Sequence, residues 1–345
     1  MKSDLTYEKA GVSIAVAEEA KREMAGYLTP SDARVLNRLG AFASLFEAKF
    51  PGIKDPVLVL KAEEPGSKQL LAIKYKKVQG LGSDLVHHLI NDIIVMGAKP
   101  LAVLDTIFCG KLEKEIVVEI VKSIAQACKE QDCTLVGGET SEQPGVLSSG
   151  VYVLCASVVG VVDKSKIIDG SGIELGDSVL ALASNGLHTN GYSLVRKLME
   201  HKSGIVEEKV GNEAFLDAIL RPHKCYYKCL RDLFGMPELH GLAHITGGGI
   251  EGNLNRILPE GISASIDLSK IQVLPIFNVI RDAGNISDFE MMHTFNMGVG
   301  ITLVAHPSAV GKIQKHLSAK GCHSYIFGEI IKGNQTVELT GKLGW

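Results

Sequence analysis

An alternation of element types that runs once, stops and restarts restricts this chain more than any other feature. Between residues 56 and 162 the runs PVLVLKA (56–62), KQLLAIKY (68–75), PLAVLDTIF (100–108), CTLV (133–136) and VYVLCASVVGVV (151–162) have the apolar, often β-branched content of strands. LGSDLVHHLINDIIVMGA (81–98) and KLEKEIVVEIVKSIAQACKEQ (111–131) instead carry a helical period. The module reads strand, strand, helix, strand, helix, strand. A hydrophilic, glycine-bearing connector, DKSKIIDGSGIELGD (163–177), ends it. SVLALAS (178–184) then starts a second α/β half, followed by the loop NGLHTNG and the helix GYSLVRKLMEH. Further on, AHITGGGIEGNLNRIL (243–258) runs a short strand through three glycines into a helix. Two α/β domains are expected, 1–170 and 171–345, with the boundary near residue 170.

Composition supports that division. A chain of 345 residues exceeds the usual size of one core, and 46% hydrophobic residues can fill two. The formal charge of −3 and the absence of a basic run interleaved with aromatics argue against a nucleic acid or an anionic membrane as partner. The longest apolar stretch, 151–162, is too short to span a membrane, and the first twenty residues carry scattered acids without a secretory core. A cytoplasmic protein is expected. The seven cysteines are an odd number, mostly isolated among apolar residues, as buried free thiols would be. Cys225 and Cys229 in KCYYKC share a helical spacing, but no second pair completes a zinc site.

The chemistry-bearing residues gather at element ends. In the helix 81–98, Asp84, His88 and Asn91 or Asp92 form one polar stripe lacking the Lys and Glu usual on a solvated face. Asp105 stands inside an apolar strand, where a carboxylate is costly unless a metal or a lysine meets it. LVGGETSEQPG (135–145) reads as a strand followed by a loop, with Glu139 and Glu142 just beyond Gly137 and Gly138. The loop is either an ordinary turn or the holder of a cation. Asp92, Asp105 and Glu139 make an oxygen-only set of the kind Mg²⁺ prefers. TGGGIEGN (246–253) offers bare amides at a strand-to-helix junction, and NGLHTNGY (185–192) adds His188, Thr189 and Asn190 as donors. EEPGSK (63–68) reads as a third turn, set between two strands and lacking Walker spacing. Together these features indicate nucleotide and phosphate chemistry.

LTYEKAGVSI, NDIIVMGAKPLAVLD, LVGGETSEQPG, SNGLHTNGYSLVRK, AHITGGG and TFNMGVGI, in this order and at these separations, resemble the phosphoribosylformylglycinamidine cyclo-ligases, also called aminoimidazole ribonucleotide synthetases. The resemblance runs essentially end to end. It implies a two-domain α/β (α+β) fold whose N-terminal sheet domain dimerises beside a C-terminal α/β domain. It also implies ATP and Mg²⁺ as cofactors, formylglycinamidine ribonucleotide as substrate, and a homodimer. By the same resemblance the catalytic residues are Lys68, Asp92, Asp105 and His188. ATP is bound by Glu63, Gly66, Ser67, Asp84, Asn91, Gly137, Gly138, Glu139 and Thr140, and Mg²⁺ by Glu63, Asp92 and Glu139. Thr189, Asn190, Thr246, Gly247, Gly248 and Gly249 then bind substrate. The chain departs from the pattern where the family has Asp-Gly-Val-Gly-Thr-Lys and this sequence has Glu63-Glu64-Pro65-Gly66-Ser67-Lys68, and its N-terminal glycine-rich segment is thinned to LGAFASLF (39–46). GGET and the ND-to-GA segment alone would fit the wider superfamily, leaving a small-molecule kinase or a nucleotide-binding paralogue without turnover as alternatives.

Overall fold

The computed structural model describes residues 8, 10–28, 32–37 and 41–345; parts of LTYEKAGVSI and LGAFASLF lie outside these. The chain divides into two compact units, one of Met1–Ile90 and Pro100–Val161, the other of Asn91–Lys99 and Val162–Trp345.

In chain order, the first unit is built from α1 (Ile14–Ala25), β1 (Pro56–Glu63), α2 (Lys68–Lys74), α3 (Leu81–Ile94), β2 (Lys99–Cys109), α4 (Lys114–Glu130), β3 (Thr134–Glu142) and β4 (Tyr152–Asp163). The last residues of α3 already belong to the second unit. The four strands form one sheet in the order β1-β4-β2-β3. Leu101, Ala102, Val136 and Val161 form a buried cluster against which Phe46, Phe50 and Ile53 pack. Helix α4 buries Val117, Val121, Ile124 and Cys128, a stripe at three- and four-residue spacing that suits a helix lying on a core.

Two expectations fail here. KQLLAIKY is helix α2, not a strand: Lys68, Gln69, Leu71 and Ala72 are buried together while Leu70 is exposed, a helical period carried by good helix formers. EEPGSK therefore joins a strand to a helix. The second failure is GGETSE, which is not a loop but the second half of β3, paired in parallel with β2 so that Asp105 faces Gly138 and Thr106 faces Glu139. The register slips by one residue between Val103 and Leu104, leaving Val136 as an extra residue in β3, a β-bulge. The Ser44 hydroxyl donates to its carbonyl.

The second unit holds β5 (Ser178–Ala183), α5 (Tyr192–His201), a small hairpin of β6 (Lys209–Val210) and β7 (Glu213–Ala214), α6 (Phe215–Leu220), α7 (Tyr227–Leu230), β8 (Leu239–His244) and α8 (Gly249–Leu254). β9 (Ile262–Asp267), α9 (Pro275–Gly284), α10 (Asp288–Thr294), β10 (Val299–Ala305), α11 (Pro307–Ala319), β11 (Ser324–Lys332) and β12 (Val337–Thr340) complete it. Its six-stranded sheet runs β12-β9-β11-β5-β10-β8, antiparallel except for the parallel β12–β9 pair. Every residue of β10 is buried, in keeping with its place between β5 and β8. Among the described residues no helix is long and apolar enough to cross a membrane.

Candidate functional site

In the first unit, Asp105 and Glu139 border a cavity of about 710 Å³ that is also lined by Lys21, Arg22, Gly137, Gly138 and Thr140. Gly138 is a glycine for a steric reason: a Cβ there would run into the Asp105 carboxylate and carbonyl. Burial pushes the Asp105 carboxyl up to about 7, opposed only by its own backbone amide. Among the described residues no cation pairs with it. Because side chains alternate along a strand, Asp105 and Glu139 leave the sheet on opposite faces, and Glu139 is exposed. Glu142 is a brace, accepting from the backbone amides of Leu112 (2.8 Å) and Ser13 (3.2 Å) and so tying the starts of α4 and α1 to the end of β3.

Lys68 and Asp84 are each 1% exposed and form an ion pair at 2.7 Å. Burial lowers the Lys68 pKa, and Asp84 works against that shift. The lysine expected at a phosphate is, as folded here, directed at a carboxylate inside the unit. Glu63 Oε2 lies 3.0 Å from Lys61 Nζ and 3.8 Å from His88 Nε2. Gly66 supplies its carbonyl to the Gln69 amide, and Ser67 is the N-terminal flanking residue of α2 without a side-chain cap.

In the second unit, Asp92 Oδ1 accepts from His244 Nδ1 at 2.7 Å. Asn91 is fully buried, donating to the Lys224 carbonyl (2.8 Å) and accepting from the Tyr226 amide (3.0 Å). His188, whose φ of +63° is unusual for a residue with a side chain, stacks on His223 at 4.0 Å between ring centroids. Thr189 Oγ1 lies 3.3 Å from His223 Nδ1. The expectations drew Asn91, Asp92, His188 and Thr189 into the site but missed His223 and His244, which hold them. His244 lies within the quoted AHITGGG, and its signal was a histidine at a strand end; His223 in RPHK has no local signal.

The glycine turn differs from its expected form. The Gly247 amide donates to Asn190 Oδ1 (3.1 Å), that of Gly248 to the His293 carbonyl (3.0 Å) and that of Gly249 to the Thr246 carbonyl (3.1 Å). All three amides are thus committed within the unit. The glycines serve close packing instead, since Gly248 and Gly249 have φ of +91° and +64° and a Cβ at Gly249 would run into the Met292 carbonyl. Asn253 ties the turn down through bonds to the carbonyls of Thr246, Gly247 and Gly249. Cys225 and Cys229 are free thiols, half-buried and buried.

Residues 53–162 match the family model "AIR synthase related protein, N-terminal domain", and residues 174–340 match "AIR synthase related protein, C-terminal domain". A phosphoribosylformylglycinamidine cyclo-ligase of Bacillus mycoides is 38% identical over 97% of this chain and 98% of its own length. One of Methylobacillus flagellatus is 41% identical over 95% of both. Among solved structures, E. coli HypE superposes with a TM-score of 0.66 at 14% identity over 94% of each chain. Thiamine-monophosphate kinase of Stenotrophomonas maltophilia gives 0.61 at 14% identity, covering 96% of this chain and 98% of its own. At that identity the likeness shows a shared fold.

Proposed function

This chain belongs to the phosphoribosylformylglycinamidine cyclo-ligase family, and from that premise we propose how its residues divide the work. The reaction, a step of purine biosynthesis, is the ATP-dependent closure of formylglycinamidine ribonucleotide to aminoimidazole ribonucleotide, with release of ADP and phosphate. ATP phosphorylates the formamide oxygen, and that oxygen leaves as phosphate when an internal nitrogen attacks the same carbon. The protein has two tasks: to neutralise charge on the transferring phosphoryl group and to hold the substrate folded for a unimolecular closure.

In our reading the first task falls to the first unit. The cavity beside β2 and β3 takes the triphosphate, with Lys21 and Arg22 as cationic lining and Gly137 and Gly138 removing side-chain bulk. The donors there fit Mg²⁺: Asp105 and Thr140, which share one face of the sheet, offer oxygen only, and a cation would relieve the cost of ionising a buried Asp105. When bound, Mg²⁺ supplies charge neutralisation of the phosphates. Lys68 and Asp84 act as scaffold under this reading, and Asp92 is oriented by His244. The formamidine substrate belongs to the second unit, where Asn190 keeps its amide group as a donor and His188 and Thr189 flank it. A homodimer joined through the first unit is supported by edge strand β1, which exposes Leu58 (53%) and Leu60 (69%). A cytoplasmic location belongs to the same reading.

The observation that carries the function is the identity of 38–41% to cyclo-ligases along at least 95% of the chain. A phosphate-release assay tests it. Release from ATP should require formylglycinamidine ribonucleotide and match aminoimidazole ribonucleotide formed. Release that proceeds equally without that substrate, or phosphate recovered on the acceptor, would point to the kinase alternative.

A further inference from the structure

TFNMGVGI (294–301) carries part of the family resemblance but supplies no residue that the proposed function uses. It leads from α10 into β10, beside the end of β5. The backbone bends sharply there: Met297 and Gly298 have φ of +53° and +107°, two left-handed residues in a row, the first of them a methionine. Asn296, just before them, is 2% exposed. Its Oδ1 accepts from the Gly298 amide at 2.9 Å, a bond to the backbone two residues on that closes the turn.

The same side chain reaches across to the segment that leaves β5. The β5–β10 ladder ends at the pair Ala183 and Val299, and the Ser184 amide adds a bond to the Gly298 carbonyl at 2.8 Å. Beyond that point the Asn296 amide takes over: Oδ1 accepts from the Ser184 hydroxyl (3.0 Å) and Nδ2 donates to the Gly186 carbonyl (2.9 Å). Two residues past Gly186 is His188, left-handed at φ +63°, whose carbonyl accepts from the Tyr192 hydroxyl at 3.2 Å. Two further on, Asn190 meets the glycine turn at Gly247. An amide suits this place because it offers an acceptor and a donor in one rigid plane. A carboxylate would set a second acceptor against the Gly186 carbonyl, and an alanine would leave that carbonyl and the Gly298 amide, both on buried residues, without this partner. Because one amide satisfies both the turn and the loop, neither shifts without the other.

We propose that Asn296 is a positioning residue for the ribonucleotide substrate: it fixes the start of the loop 185–190, so that His188, Thr189 and Asn190 are presented in one arrangement. The inference rests on the reading above that this loop meets the formamidine substrate. Asn296 acts through the loop and touches neither substrate. Its effect therefore belongs to the binding of the ribonucleotide and not to that of ATP, which the same reading gives to the first unit.

The test is steady-state kinetics of the full chain with each substrate varied in turn. Asn296→Asp keeps the shape and loses the donor; it should raise the KM for formylglycinamidine ribonucleotide at least about tenfold while the KM for ATP stays within about twofold. Ser184→Ala removes one bond to the same amide and should move the first KM in the same direction by about threefold. If Asn296→Asp fails to fold, Ser184→Ala decides. Asn190→Ala, run in parallel, tests the reading beneath the proposal. A selective rise in both Asn190→Ala and Asn296→Asp supports both. A rise in Asn190→Ala with none in Asn296→Asp overturns the positioning role and leaves the loop at the substrate. No rise in either overturns both, and a rise in Asn296→Asp alone keeps the positioning role but removes Asn190 from the substrate contact. A lower melting temperature with both KM values changed alike would show that Asn296 merely braces the fold, and would also overturn the proposal.

Discussion

Asp84 and Asp105 lie in the same unit and are almost equally removed from water, at 1% and 6% exposure, yet their surroundings are opposite. Asp84 meets Lys68 at 2.7 Å, and each charge offsets the other's burial. Asp105 has no such answer among the described residues and is held near a pKa of about 7 at the wall of a cavity. Burial alone therefore does not distinguish scaffold from site. The partner does: a charge neutralised from within is part of the fold, whereas one left for a ligand to neutralise is poised for chemistry.

The largest effect should come from breaking the answered pair. Asp84→Asn leaves the Lys68 ammonium buried without its carboxylate and should cost about 3–5 kcal/mol in urea unfolding. Replacing both, Lys68→Met with Asp84→Leu, should recover most of that stability and retain turnover. Loss of turnover in a stable double variant would return Lys68 to the catalytic set.

Asp105→Asn should behave in the opposite sense. Turnover should fall at least ~10²–10³-fold while the fold survives. The native carboxyl binds its proton up to about pH 7 and the unfolded one only to about 3.8, so native stability declines as pH rises between those values. The Asn variant escapes this decline. Its melting temperature should match wild type near pH 4, pull ahead through pH 7 and keep that lead above it. Added Mg²⁺–ATP should narrow the gap by stabilising the wild type alone. Equal melting curves at pH 8 would show that Asp105 is not strained by burial.

Glu142 stands between these cases, half-buried and answered by two backbone amides, so Glu142→Ala should cost about 1.5–3 kcal/mol without a specific loss of turnover. Glu64 is exposed and its carboxylate accepts from Gln69 at 3.3 Å, and Glu64→Gln should change stability by less than about 0.5 kcal/mol. A large loss of turnover in Glu64→Gln would mean that the EEPGSK segment faces ATP.

Much of this ranking was visible in the sequence, and the gaps have physical causes. An acid inside PLAVLDTIF marks Asp105 because an apolar strand makes a carboxylate expensive. KQLLAIKY misled because eight residues are too few to separate a period of 2 from one of 3.6, and the decisive fact, burial of Lys68 by Asp84, lies sixteen residues away. GGETSE looked like a loop because glycine and glutamate are poor strand formers; parallel pairing with β2 overrides that preference. The histidine cluster joins positions 188, 223 and 244, which no local window links. The committed amides of Gly247–Gly249 were equally hidden, since their acceptors include Asn190 and His293.

The extra residue in β3 has a consequence for how this enzyme can change. Because Val136 is one residue out of step with β2, the apolar stretch before it and the Gly-Gly-Glu after it are registered independently. Substitutions there alter one side chain at a time, and loss of a residue at the bulge could be absorbed by closing it, but insertion of a single residue after Gly137 would slide the rest of the strand by one and send each following side chain to the other face. Gly138 would then occupy the position now held by Glu139, and the inserted side chain would stand against Asp105. The segment thus stores part of its information as a count of residues, and an added residue would be costlier there than almost any change of letter.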